Sequence, residues 1–254
     1  MLDITALNSV LVLPTFNESE NLESFVRAVR QSCPTLHILI VDDDSPDGTG
    51  KIADRLAIDL GALEVIHRFG ERGLGSAYRA GFAHLAEKSF DAVVTMDADF
   101  SHDPEVIPRL LSALQSPADV VIGSRYIPGG DICGWPRHRR LLSRWGNAYT
   151  RWILQLDVQD CTSGFRAYRY QALMTIDPSL EHGEGYVSLT ALIRRAQQNG
   201  LRFVEVPITY TNRVRGTSKM SWRIVLESMF LVTVLGLKDS LDRLRKRLGA
   251  HRDH

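Results

Sequence analysis

The chain has 254 residues, 44% hydrophobic and 24% charged, enough apolar material for one substantial core, alone or with a small appendage. Basic and acidic residues both number 30, so the overall positive field that draws proteins onto nucleic acid is missing. Cys33, Cys133 and Cys161 have neither metal-ligand spacing nor an even count, which argues against a disulfide framework and for a reducing compartment.

Met1 is followed by Leu2-Asp3-Ile4-Thr5 without a basic segment or a long apolar stretch, so no secretory signal is expected and the protein is expected in the cytoplasm. Short apolar segments rich in β-branched residues then predict buried strands at Ser9–Leu13, His37–Val41, Leu63–His67, Asp91–Met96 and Asp119–Gly123. The intervals have helical period. Their faces are Leu22, Phe25, Val26 and Val29; Ile52, Leu56 and Leu60; Tyr78, Phe82 and Leu85; and Val106, Leu110, Leu111 and Leu114. This alternation predicts βαβ units, a mostly parallel sheet and ligands along one edge. Beyond Ser124 a Gly- and Pro-interrupted basic stretch, Pro128–Arg140, leads into an aromatic helix over Leu141–Leu154. A strand at Phe165–Tyr168, a helix at Val187–Gln198 and a strand at Phe203–Val206 follow, with no repeat or linker between the halves. In the last segment, Trp222–Leu248, the uncharged run Ser228–Leu237 is shorter than the roughly 20 residues of a bilayer span. It suits an interfacial helix, or equally a helix packed on the domain or a partner.

Three strand ends carry chemistry. The run Val93-Val94-Thr95-Met96 empties into Asp97-Ala98-Asp99, and two carboxylates there repel one another unless a cation lies between them, as at a metal–diphosphate site. The first strand exits into Pro14-Thr15-Phe16-Asn17-Glu18 and the second into Asp42-Asp43-Asp44-Ser45-Pro46-Asp47-Gly48-Thr49. A base or ribose, presenting N–H and O–H donors, would satisfy Asp43, while Asp47 is placed to cap the next helix. The segment Arg137-His138-Arg139-Arg140, flanked by Trp135, Leu141, Leu142 and Trp145, suits an acceptor with an anionic head and a greasy tail. Its plainer reading is a solvated basic turn. His67 and His102 read as structural residues.

These segments stand in one order with Gly73-Leu74-Gly75, Asp97-Ala98-Asp99-Phe100-Ser101-His102, Gly123-Ser124-Arg125-Tyr126, Ser163-Gly164-Phe165-Arg166 and Arg213-Val214-Arg215-Gly216-Thr217-Ser218-Lys219. In that order the chain resembles glycosyltransferase family 2, most closely its dolichol-phosphate (polyprenol-phosphate) mannosyltransferases, from Val10 to Lys219. The resemblance implies an α/β fold: a single Rossmann-like nucleotide-sugar-binding domain of glycosyltransferase A type. It implies a catalytic domain over residues 1–220 and a C-terminal amphipathic, basic helix over 221–254. Pro14, Phe16, Glu18, Val41 and Asp43 would line the nucleotide pocket, with the backbone of Ala98 touching the nucleotide. Asp97 and Asp99, with Ser101 nearby, would hold Mg²⁺ or Mn²⁺. Arg125, Arg213 and Lys219 would meet the diphosphate and acceptor, and Arg139 and Ser143 the lipid phosphate.

The implied activity is metal-dependent, inverting transfer of mannose from GDP-mannose to a polyprenyl phosphate, giving a β-linked mannosyl phosphate. An anionic phosphate nucleophile needs no strong general base. The implied location is peripheral, on the cytoplasmic face of a membrane, in some relatives with a membrane-anchoring subunit. Two departures stand out. Phe16 replaces the family's usual tyrosine, and Leu189 and Ala191 replace the glutamine and glutamate typical of the mannosyl branch, which leaves UDP-glucose or another nucleotide sugar open as donor. A nucleotidyltransferase would be expected to carry a Gly-rich basic loop near its start, which Pro14–Glu18 is not. A non-catalytic scaffold would tolerate loss of Asp97 and Asp99.

Overall fold

The computed structural model describes residues 7–115, 117–177, 186–212 and 222–250. The first half runs β1 (Ser9–Thr15), α1 (Leu22–Ser32), β2 (His37–Asp42), α2 (Thr49–Leu60), β3 (Leu63–His67), α3 (Leu74–Leu85) and β4 (Ala92–Thr95). A 3₁₀ turn (Pro104–Val106) then precedes α4 (Ile107–Ala113), β5 (Val120–Ser124), β6 (Asp131–Ile132) and α5 (Arg137–Leu154). Last come β7 (Arg166–Arg169), α6 (Tyr170–Thr175), α7 (Tyr186–Gln198), β8 (Phe203–Pro207), β9 (Thr209–Tyr210) and α8 (Trp222–Ala250).

Seven strands form one sheet in the order β3-β2-β1-β4-β7-β5-β8, and β6 pairs with β9 in a separate ribbon. The period of two along each strand divides the core. Leu11, Leu13, Ile38, Ile40 and Val94 point into one apolar layer, with Phe25 of α1 and Leu110 of α4. Val10, Val12, Leu39 and Val41 point into the other, with Phe82 of α3 and Leu192 of α7. Helices on both faces are why these strands read as unbroken apolar runs. The chain leaves β1 toward β2 on one side and later places β4 on the other, so the sheet's direction of growth reverses between β1 and β4. A ligand crevice opens at the carboxyl ends of such a pair.

The five strands expected in the first half lie within a residue or two of their positions. Two features differ from expectation. β7 runs antiparallel to both β4 and β5, entering the sheet from its carboxyl edge. Helix α5 starts at Arg137, not Leu141. Pro136 is the last extended residue, its carbonyl accepts the Arg140 N–H at 3.1 Å, and the charged residues after it form the first helical turn.

Helix α8 lies against α5 and α7. The Tyr149 hydroxyl meets Thr233 Oγ1 at 2.7 Å, and Arg194 Nε donates to Asp239 Oδ2 at 2.6 Å. Gly236 is the contact point with α5, since a Cβ there would sit 2.5 Å from Ile153 Cγ2 and 2.9 Å from the Ile153 carbonyl oxygen. Gly236→Val gains some helix propensity, but the carbonyl cannot rotate away. A net loss of about 2 kcal/mol is expected as a lower urea midpoint. The opposite face of α8 exposes Leu226, Phe230, Val234, Leu237 and Leu241, and α5 exposes Leu141, Trp145 and Trp152. Among the described residues, no helix is long and apolar enough to cross a membrane.

Candidate active site

Asp97 and Asp99 follow β4 directly, at the reversal point of the sheet. Asp99 is buried, and its Oδ1 accepts the Ser101 N–H at 2.9 Å, folding the loop back on itself. Phe100, between them, has φ 58°, a left-handed conformation uncommon for a bulky residue and held by the loop's hydrogen bonds. Thr95 Oγ1 donates to the Gly164 carbonyl at 2.8 Å, and Gly164 lies beside Asp97, where a Cβ would make ordinary contact with Oδ1 at 3.9 Å.

The donor set suits a hard divalent cation. The phenols of Tyr78 and Tyr210 are pushed above their ordinary pKa, first by burial and then by the charge of Asp97 on both and of Asp99 on Tyr210. That negative field is what a cation would neutralise. Among the described residues no group of three histidine, cysteine, aspartate or glutamate side chains converges to cage an ion. Mg²⁺ commonly binds this way, through one or two carboxylates with phosphate oxygens and water completing the shell. Ser101 is buried beneath the loop, its hydroxyl against Tyr210.

On the nucleotide side, Phe16 presents its ring to the Arg72 guanidinium at 4.7 Å, and Pro14 is half-buried beside it. Gly48, with φ 89°, is the N-cap of α2, and Asp47 serves the helix start from one residue earlier. Its Oδ1 accepts from the Thr49 N–H and hydroxyl at 3.0 and 2.6 Å, and its Oδ2 accepts the Ser19 N–H at 3.0 Å, tying the β1 exit to α2. Glu18 accepts from Asn21 Nδ2 at 3.0 Å. Asp43 is buried, its Oδ2 accepts the Gly73 N–H at 2.9 Å, and its Oδ1 lies 2.9 Å from Arg68 Nη1 without an aligned hydrogen bond. Burial raises its pKa despite those two neighbours, and Oδ1 retains capacity for a ribose or base donor. Ala98 is buried beneath the carboxylates. Val41, expected to line the pocket, instead turns a fully buried side chain into the core toward Gly81, so only its backbone could face a nucleotide.

On the acceptor side, Arg125 is buried and pinned by Asp160. Nε donates to Oδ2 at 2.7 Å, Nη2 to Oδ1 at 2.8 Å and to Thr162 Oγ1 at 2.7 Å, and the Arg125 N–H to Oδ2 at 3.0 Å. Burial disfavours each charge, but the mutual attraction outweighs it, lowering the Asp160 pKa and raising that of Arg125. Arg125 floors a basin of about 350 Å³ whose walls include Tyr126, Asp131, Arg137, Arg140 and Arg144. Arg140 pairs with Asp131 at 2.5 Å, leaving Arg137 and Arg144 as cations toward an anion.

Arg139 lies off that wall. Its guanidinium covers the Trp135 ring at 3.9 Å, while Ser143 bonds the Tyr126 hydroxyl at 2.7 Å. The reason is helical phase, because Arg137, Arg140 and Arg144 share one face once the helix starts at Arg137, and Arg139 and Ser143 share the next. Arg213 and Lys219 lie outside the described residues. His102 is buried between Phe165 and Tyr210, and burial pulls its imidazole down to about 4, so it is neutral near pH 7. Sequence reasoning missed Asp160, Arg144, Arg72 and Tyr210. A lone aspartate 35 positions from its arginine carries no local signal.

Comparison with known proteins agrees with this geometry. The model of glycosyl transferase family 2 matches residues 10–177. The polyprenol monophosphomannose synthase of Mycolicibacterium smegmatis is 47% identical over 93% of this chain and 90% of its own length. The undecaprenyl-phosphate mannosyltransferase of Micrococcus luteus is 44% identical over 94% of this chain and 98% of its own length. A crystal structure of glucosyl-3-phosphoglycerate synthase from Mycobacterium tuberculosis, in complex with Mn²⁺, uridine diphosphate and glucosyl-3-phosphoglycerate, shares the fold. Its TM-score is 0.63 at 23% identity, over 91% of this chain and 79% of that one. A mostly parallel sheet that reverses beside a carboxylate pair, matched by sequence across most of its length, makes this chain a glycosyltransferase of A-type fold that belongs to family 2.

Proposed function

We propose that the enzyme transfers mannose from GDP-mannose to a polyprenyl phosphate at a membrane surface, forming a β-mannosyl phosphoryl lipid. One observation carries the reading: the carboxylate pair after β4 and the arginine basin along α5 sit on the same edge of the sheet, joined through the ribbon β6–β9. The names of the two polyprenyl-phosphate relatives support it.

In this reading Asp97 and Asp99 hold Mg²⁺ or Mn²⁺, which when bound supplies positive charge to the departing diphosphate. Arg213 and Lys219 are assigned to the same charge, and Asp43 to the ribose or base. Arg137 and Arg144 orient the acceptor phosphate on the floor set by Arg125, with Arg139 and Ser143 at its rim. The acceptor is already an anion, so no general base is required, and neutral, buried His102 is not asked to serve as one. A single displacement inverts the anomeric centre. A UDP-sugar donor is the second reading, left open because apolar Leu189, where the mannosyl branch usually has glutamine, packs on Gly164 beside Asp97, with a Cβ on Gly164 falling 3.5 Å from Leu189 Cδ1.

The exposed apolar face of α5 adjoins the basin through Leu141, α8 adds a second exposed apolar face, and aromatic rings with arginines suit the lipid headgroup region. They support peripheral binding to a membrane surface, taken here to be the cytoplasmic one, and equally suit a membrane subunit. In the double variant Trp152→Glu/Phe230→Glu, sedimentation with anionic lipid vesicles is expected to weaken about tenfold or more, from the lost burial of two aromatic side chains.

The deciding experiment offers labelled nucleotide sugars with short polyprenyl phosphates, with and without Mn²⁺. GDP-mannose with metal is expected to give a lipid-extractable mannosyl product. Product from UDP-glucose alone selects the second reading, and no extractable product from any donor overturns both.

A further inference from the structure

One ring touches both halves of the site. Tyr210, on β9, packs edge-on against His102 at 5.1 Å on the metal side and against Trp135 at 5.4 Å on the acceptor side. The Arg125 guanidinium approaches the same ring at 5.5 Å. Trp135 in turn carries Arg139, and His102 rests on Phe165 at 5.2 Å. Rings, imidazole and guanidinium therefore run without a break from the first turn of α5 to the loop after Asp99.

The backbone doubles this connection. The Tyr210 carbonyl accepts the Cys133 N–H at 2.7 Å, and the Thr211 N–H donates to the Ser101 carbonyl at 3.0 Å. Thr211 Oγ1 donates to the Phe100 carbonyl at 3.1 Å, and Asn212 Nδ2 to the Gly134 carbonyl at 2.8 Å. Three consecutive residues thus tie the loop Phe100–His102 to the loop Cys133–Trp135. The basin and the carboxylate pair otherwise belong to separate elements, α5 and the end of β4.

We infer that Tyr210 is a positioning residue, whose ring sets the separation between the acceptor basin and the carboxylates Asp97 and Asp99. The inference rests on the proposed transfer to a lipid phosphate. In that reaction an acceptor phosphate oxygen forms a bond to the anomeric carbon as the bond to the diphosphate breaks, and the diphosphate leaves with the electron pair. Reacting atoms must stand about 3–3.5 Å apart, and a misplacement near 1 Å costs on the order of 100-fold. Water competes for the same carbon. It gives GDP, free mannose and a proton, and it needs no basin. A slack separation therefore favours hydrolysis over transfer.

Two variants test this. Tyr210→Leu fills similar volume without a ring, and Tyr210→Phe keeps the ring and removes the hydroxyl. In Tyr210→Leu, without substrate or metal, amide hydrogen exchange in Phe100–His102 and Cys133–Trp135 is expected to quicken about tenfold or more, with β2 as protected as in the parent. With GDP-mannose, short polyprenyl phosphate and Mn²⁺, the ratio of hydrolysis to transfer is expected to rise about tenfold or more. Simple loss of folded enzyme would lower both rates together and leave that ratio unchanged. Tyr210→Phe, which loses only the hydroxyl's contact with Ser101, is expected to stay far closer to the parent than Tyr210→Leu in both measurements. Unchanged exchange, an unchanged ratio, or a Tyr210→Phe variant as impaired as Tyr210→Leu overturns the inference. If the parent enzyme itself makes no lipid product, the proposed function fails, and the exchange measurement alone decides the role of Tyr210.

Discussion

Replacing Asp97 or Asp99 by asparagine is expected to lower mannosyl transfer about 10²–10³-fold or more while the protein stays folded. Asparagine keeps the volume, and at position 99 its carbonyl oxygen can still accept the Ser101 N–H that Oδ1 accepts now at 2.9 Å. What is lost is one negative charge and a strong oxygen ligand. The checks are the rate of labelled-lipid formation at saturating Mn²⁺ and the Mn²⁺ dependence of GDP binding by calorimetry, which should flatten in both variants. A scaffold protein would show neither change. Transfer within tenfold of the parent in either variant would remove the carboxylate pair from the chemistry.

The second large effect is on stability. Asp160→Ala leaves the Arg125 guanidinium buried without its counter-charge, expected to cost about 3–5 kcal/mol. Against a typical total of about 5–15 kcal/mol, this would lower the melting temperature by on the order of 10 °C. The pH dependence follows from the sign of the shift, because the folded Asp160 pKa lies below its unfolded value near 3.9. Stabilisation by the pair is therefore complete above about pH 4 and is lost as the pH falls through the lower, folded value. Thermal unfolding of the parent should fall away more steeply in that acid range than that of Asp160→Asn. The double variant Arg125→Met/Asp160→Asn, which removes both charges and keeps a side-chain oxygen for the backbone N–H groups of Arg125, Thr162 and Ser163, should be more stable than Asp160→Ala yet bind acceptor poorly, separating the pair's structural work from its floor under the basin.

Much of the frame was legible because it repeats. Each of the first four strands is a short β-branched run followed by a helical stripe, and a fifth such run closes the series; such patterns need no long-range information. The carboxylates Asp97 and Asp99 were legible because they end such a strand. What sequence reasoning missed depends on distance or phase. The direction of β7 cannot be read from Arg-Ala-Tyr-Arg, four residues with no marker of polarity, since direction is set by the path of the chain from α5. The basic segment Arg137–Arg140 was legible as suited to an anionic acceptor, but the face that Arg137 and Arg140 share with Arg144 was not, because the helix was expected to begin only at Leu141. Asp160 and Tyr210 act through partners far along the chain, and neither residue type nor local spacing announces such a role.

The reversed course of β7 has a consequence for where this architecture can change. Because β7 starts where β4 and β5 finish, with Arg166 opposite both Thr95 and Ile122, the connection leading into it lies along the edge that bears the candidate site. That edge therefore carries an extra backbone segment, clamped by Asp160 at one side and by the sheet at the other, and it has little room for added length. The opposite edge, where residues 86–91 and 199–202 turn between helix and strand, carries none of the groups placed in the site. Insertions that enlarge the protein belong there, leaving the rim of the candidate site at fixed size.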